Sequence, residues 1–154
     1  MSKLVKKSLY MSGVYQECID RIGLLSENTN AQWGVMDAAQ MISHCAEVLE
    51  VMNGKELKNT PFIVKLFKPL IRHVVVNDKA YSRSMKTHPQ YIQKTERVFE
   101  FEKRRFLQAM DDFVKRSPEE TNAIMHPLFG KMSMQKKGWS MYKHLDHHLR
   151  QFGL

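Results

Sequence analysis

The sequence predicts an all-α fold, a four-helix bundle with a long crossover arm between its second and third helices. Three observations carry this. Apolar residues recur at spacings of three and four rather than two, only 7 Gly and 5 Pro interrupt the 154 residues, and four long amphipathic stretches surround one irregular one. Hydrophobic residues make up 43% of the chain and charged residues 26%, which excludes the disordered and low-complexity classes. A chain of this length builds one domain, spanning 1–154, with its own core.

Val14, Cys18, Ile19, Ile22 and Leu25 predict a first helix over about 9–26, closed by Glu27-Asn28-Thr29-Asn30. Val35, Ala38, Ile42, Cys45, Leu49 and Met52 form the stripe of a second, over about 33–53, which ends at Asn53-Gly54. Lys55 to Pro89 reads as the crossover arm, with one short amphipathic helix around 62–76. Ile92, Thr95, Phe99, Phe106, Met110 and Phe113 are in phase for a third helix over about 90–116, stopped before Ser117-Pro118. A fourth covers about 133–152, with Ser133 as its N-cap.

Lys plus Arg number 24 against 16 Asp plus Glu, a formal charge of +8 that favours anionic partners. There is no Gly-rich phosphate loop and no DNA-reading motif, so nucleic acid is not the expected partner. No apolar run approaches the ~18 residues of a membrane span, and a cytoplasmic protein is expected. Cys18 and Cys45, without a CxxC, read as reduced, buried thiols.

Histidine carries the chemistry. At 100° per residue, His144 and His148 stand about 40° apart and border the core side of helix four, whereas His147, Lys143 and Arg150 turn toward solvent. His44 lies at the edge of the apolar sector of helix two, beside Met41, Val48 and Val51. Two imidazoles at i and i+4 chelate one divalent ion, and a third from a facing helix completes a three-nitrogen site with an open position. The competing reading makes them boundary histidines bonded to their neighbours.

The runs Trp33-Gly34-Val35-Met36, Ala39-Gln40-Met41-Ile42-Ser43-His44, His126-Pro127-Leu128-Phe129-Gly130 and His144-Leu145-Asp146-His147-His148-Leu149-Arg150-Gln151-Phe152-Gly153 resemble the DinB-like superfamily of metal-dependent four-helix proteins, within it an uncharacterised bacterial branch. The resemblance implies an up-down-down-up bundle in which His44, His144 and His148 bind a divalent metal. It also implies, for some members, transferase or isomerase chemistry with bacillithiol, mycothiol or glutathione. Zinc, nickel and iron all accept imidazole.

Glu102 falls in the middle of the apolar face of helix three, where a carboxylate needs a cation, a metal or a proton. Its two readings are a catalytic group serving the metal site and a structural ion pair. His126, in the loop before helix four, either approaches the open metal position or satisfies a turn. His73 and His88 read as surface or arm residues, and Trp33 as packing at the bundle end. Lys103-Arg104-Arg105 reads as a solvated helix face, and Lys131, Lys136, Lys137, Lys143 and Arg150 as cations that steer an anion to the site.

The resulting expectation is a divalent-metal-dependent enzyme with a three-histidine site, a hydrolase or a low-molecular-weight-thiol-dependent transferase acting on a small anionic molecule. The alternative is a non-enzymatic helical binding module with a structural or incidental metal and an acidic partner. A homodimer is compatible with either.

Overall fold

The computed structural model describes residues 5–83 and 85–154. Among them lie seven α-helices and no strand: α1 Ser12–Gly23, α2 Ala38–Met52, α3 Phe62–Leu66, α4 Lys68–Val76, α5 Phe99–Lys115, α6 Pro118–Ala123 and α7 Met134–Gln151. The four longest are the four that periodicity predicts. α2 packs along α5 and also meets α7, while α1, α4 and α6 each pack on α7. Phe106, Phe113, Ile42, Leu49, Met110 and Leu145 are fully enclosed at the centre. Both cysteines are free and buried. No helix of the described residues is long and apolar enough to cross a membrane.

Boundaries moved where local chemistry outcompeted periodicity. α1 is shorter than 9–26 at both ends. Leu9, in the chain before it, is buried and donates its N–H to the Gly138 carbonyl at 3.3 Å. This approach needs a glycine inside α7, because a Cβ at 138 would overlap Ser8 Oγ and stand 2.8 Å from Tyr10 Cδ2. α2 begins at Ala38 rather than 33, since Asp37 and Gln40 form a reciprocal capping box. Val35, expected on the stripe, is 98% exposed outside the helix.

The arm contains two short helices in place of the expected one. Pro69 lies in the first turn of α4, where its missing N–H costs nothing, and the chain restarts there after α3. Phe62, Ile63, Leu66, Phe67 and Leu70 on this arm are exposed. α6 went unpredicted, although Ser117-Pro118-Glu119-Glu120 carries a capping-box signature that the structure realises.

The largest departure is in helix three. α5 starts at Phe99, not 90; residues 89–91 form a 3-10 turn and 92–98 are irregular. This stretch directs its hydrogen bonds to tertiary partners. The Gln90 side chain donates to Glu47 Oε1 at 2.8 Å and accepts from the Lys58 N–H at 2.6 Å, and Thr95 O accepts from Gln40 Nε2 at 3.3 Å.

Three cations expected at the surface are structural instead. Lys137 and Lys143 are each 1% exposed. Lys137 Nζ donates to the Ile124 carbonyl at 2.7 Å and to that of Thr121, where α6 ends. Lys143 Nζ donates to Val74 O at 2.7 Å and Asn77 Oδ1 at 3.0 Å, closing the end of α4. Each ammonium satisfies carbonyls that a short helix leaves unpaired. Arg105, expected on a solvated face with Arg104, instead ties α5 to α2. Its guanidinium meets Glu47 Oε2 at 2.5 Å, Glu50 Oε1 at 2.6 Å and Glu102 Oε2 at 3.0 Å.

Removing Arg105 strands three carboxylates that, among the described residues, retain Lys55 and Arg97 as cationic partners. Arg105→Met is therefore expected to lower unfolding free energy by about 3 kcal/mol in urea denaturation, the cost of breaking a buried pair from one side. Exposed Arg104→Met should change it by under about 0.5 kcal/mol. Equal effects at the two positions would contradict the network.

Candidate metal centre

The structure brings His44 from α2 together with His144 and His148 from α7. One ring nitrogen of each lies within 4.8 Å of the others, with His44 and His148 buried and His144 partly buried. His44 Nε2 and His144 Nε2 are 3.0 Å apart. Nitrogens sharing one ion at about 2.0–2.1 Å stand about 2.9–3.4 Å apart for right-angled to tetrahedral geometry, so this pair suits a common cation.

Hydrogen bonding determines which nitrogens hold lone pairs. His44 Nδ1 is 2.8 Å from the Tyr91 carbonyl oxygen, which only accepts, so Nδ1 carries the proton and Nε2 the lone pair. His148 Nδ1 is 2.8 Å from Gln151 Oε1. The Gln151 amide is oriented by its own Nε2, which donates to the Trp33 carbonyl at 2.8 Å. His148 therefore also donates from Nδ1 and keeps its Nε2 lone pair. Gly34 permits this arrangement: its φ is +85°, and a Cβ there would run into Gln151 Nε2. Carbonyl partners of this kind orient metal-bound histidines and raise their basicity.

Burial holds all three rings neutral. The imidazole of His144 titrates well below its usual range because of burial and then the neighbouring His148 and His44. His148 is likewise pushed down by burial and by His44. For His44 burial also lowers the value, against the opposing hydrogen bond to Tyr91. Neutral imidazole is the form that ligates metal.

His147 stays outside the cluster, but it does not simply face solvent as expected. Its ring packs edge-on against Trp33 and Tyr81, with centroids 6.1 and 5.7 Å away. Glu102 does turn inward and is only 3% exposed. Its carboxylate, however, closes on Arg105 at 3.0 Å and Arg97 at 3.7 Å and does not join the histidine group. Its place on the apolar face is accounted for by this ion pair. His88 is buried rather than superficial: Nδ1 accepts from the Gln90 N–H at 3.1 Å, so Nε2 donates to Thr60 Oγ1 at 3.0 Å.

His126 satisfies a turn, and its ring also lines a cavity. Nδ1 accepts from the Leu128 and Phe129 N–H groups at 3.1 and 3.2 Å, which leaves the proton on Nε2. The cavity, of about 300 Å³, reaches His144. Burial, followed by the nearby Lys137 charge, lowers its pKa to about 4. Sequence reasoning missed Gln151 and the Tyr91 carbonyl. Gln151 sits three residues after His148, on the same helix face, which is a legible signal. A backbone carbonyl leaves none.

An all-helical protein with a buried three-histidine group that could hold a metal ion is the class these features define. A family model described as a protein of unknown function, DUF1569, matches residues 6–153, and the chain belongs to that family. No curated protein and no solved structure matches it.

The low pKa of His126 has a thermodynamic consequence. In the unfolded chain an imidazole titrates near 6.5, and in the folded protein His126 does so near 4. Between these values the unfolded chain takes up a proton that the folded one refuses, so stability falls as pH drops from 6.5 to 4. The expected loss from this residue is on the order of 3 kcal/mol. His126→Asn keeps an acceptor for the two N–H groups and should flatten the stability profile by that amount. A wild-type slope in chemical denaturation of this variant would contradict a buried neutral ring.

Proposed function

We propose that this protein is a mononuclear divalent-metal enzyme of the DinB-like type, an up-down-down-up four-helix bundle whose ion is held by His44, His144 and His148. The observation that carries the reading is the pair of Nδ1 hydrogen bonds, to the Tyr91 carbonyl and to Gln151, which leave Nε2 of His44 and His148 as lone-pair donors in a buried cluster with His144. Such an ion, on three neutral ligands, would supply Lewis-acid charge that acidifies a water or a low-molecular-weight thiol and polarises a substrate oxygen.

The chain's own groups complete the task. Tyr91 and Gln151 hold the imidazoles in their ligating tautomers. His126, neutral near pH 7, contributes an N–H donor from Nε2 rather than a base, since a pKa near 4 lies far from the operating range of an efficient base. Glu102 acts as a partner of Arg105 and Arg97 in the α2–α5 interface. The apolar lining beside His144 limits competing water. Hydrolysis and thiol-dependent group transfer both use this set, and a substrate with an anionic head complements the uncompensated charge.

Metal content of protein purified without chelator tests the reading. About one zinc, nickel or iron ion per chain is expected, lost in His44→Ala, His144→Ala and His148→Ala and retained in His147→Ala. Gln151→Leu removes the acceptor of His148 Nδ1 and should weaken metal affinity about 10–100-fold without abolishing it. Metal retained at wild-type affinity after loss of His144 and His148 together would refute the assignment.

A further inference from the structure

The cavity at His144 has a chemical character of its own. Val64 of α3, Ile71 and Val75 of α4, Met52 of α2 and Met141 of α7 contribute to an overwhelmingly apolar lining. Its polar groups are imidazoles and phenols, with Lys86 and Thr87 on an exposed stretch of the wall. Of these, both nitrogens of His88 are occupied by Gln90 and Thr60, and Nδ1 of His126 by its own turn. Met85, Lys86 and Thr87 line the cavity and are exposed. Lys86 is the lysine of the lining, and it stands on this exposed stretch. Of the cations that the charge pattern placed near the site, Lys137 and Lys143 are engaged by helix-terminal carbonyls.

Size limits the occupant further. An apolar cavity of about 150 Å³ accommodates benzene, so the 300 Å³ here suits a body of about ten to twelve heavy atoms. A sugar-like or peptide-like body would bring more hydrogen-bonding groups than these walls can match, and each unmatched group is costly to bury. An alkyl or aryl body carries no such cost and gains from leaving water.

We infer that this cavity holds the body of the substrate, and that it selects molecules in which a medium-length alkyl or aryl group of about ten heavy atoms ends in one metal-binding head seated at His144. The inference rests on the metal-site reading above. It replaces a site open to any small anion with one in which the head binds by charge and the body by apolar burial. α3 and α4, through Val64, Ile71 and Val75, are then the specificity-determining wall.

Linear hydroxamates, from acetohydroxamate to octanohydroxamate, provide a constant metal-binding head on a variable body. They are titrated into the full-length protein loaded with cobalt(II), with binding read from the visible spectrum of the ion and from the ¹³C-methyl resonances of Met52 and Met141. Affinity is expected to rise about three- to fourfold per methylene until the chain fills the cavity. The two methionine resonances should move only with the longer chains. Val75→Trp should abolish the dependence on chain length while leaving cobalt content and acetohydroxamate affinity unchanged. If that variant fails to fold, Ile71→Glu, which sets a carboxylate in the same wall, serves the same comparison.

Equal affinity for acetohydroxamate and octanohydroxamate in the cobalt-loaded protein, with unmoved methionine resonances, overturns the inference and leaves the metal reading standing. Failure of His44, His144 and His148 to take up cobalt overturns the metal reading and the head assignment with it. Toluene then judges the apolar pocket alone: shifts of Met52 and Met141 support it, and their absence overturns it.

Discussion

The hydrogen bond from His44 Nδ1 to the Tyr91 carbonyl is the contact on which the candidate site depends. A carbonyl inside a regular helix is engaged by the N–H four residues on, whereas Tyr91 lies in a 3-10 turn followed by irregular chain. The interruption before α5 thus supplies the acceptor that sets the tautomer of His44. It also explains why strong local periodicity was overridden. Gln90 and Thr95 make tertiary hydrogen bonds to residues near α2, and these hold the 89–98 stretch against the histidine it serves.

A second layer of organisation comes from charges that left the surface. Arg105 gathers Glu47, Glu50 and Glu102 between α2 and α5 and so steadies the helix that carries His44. Lys143 reaches from α7 to the end of α4, with its ammonium also 4.3 Å from the Tyr81 ring centroid. Lys137 does the same for α6. Burial lowers the pKa of both lysines, most clearly Lys143, to about 8. The outcome is a set of short, marginal helices held by single cations on α7, the helix that carries two of the three clustered histidines. Formal charge alone would have assigned these lysines to solvent and to ligand attraction.

Cavity and cluster adjoin because α7 serves both. His144 belongs to each, and its partial exposure reflects that shared position. His148, one turn on, is sealed against Gln151 and the Trp33 backbone. The site is therefore hydrogen-bonded and polar on the Gln151 side and apolar on the side of the arm, the asymmetry expected where one end of a ligand meets charge and the other meets hydrocarbon.

The sequence by itself determined the helical class, the four long helices, the C-terminal end of α2 and the cap of α7, because these follow from spacing and caps within a few residues of one another. It also sorted His44, His144 and His148 to core-facing edges, since 100° per residue is a local geometric fact. Only the tertiary structure decided what those edges meet. It decided that residues 90–98 are not α-helix, that Lys137, Lys143 and Arg105 turn inward, and that Glu102 meets arginines. It also decided that Tyr91 and Gln151 set the imidazole protons. Most of these outcomes depend on a hydrogen-bond partner more than ten residues away or on a backbone carbonyl that every residue type carries, whereas the Glu102–Arg105 and His148–Gln151 pairs are local, three residues apart. Side-chain periodicity holds no record of where such a partner will stand.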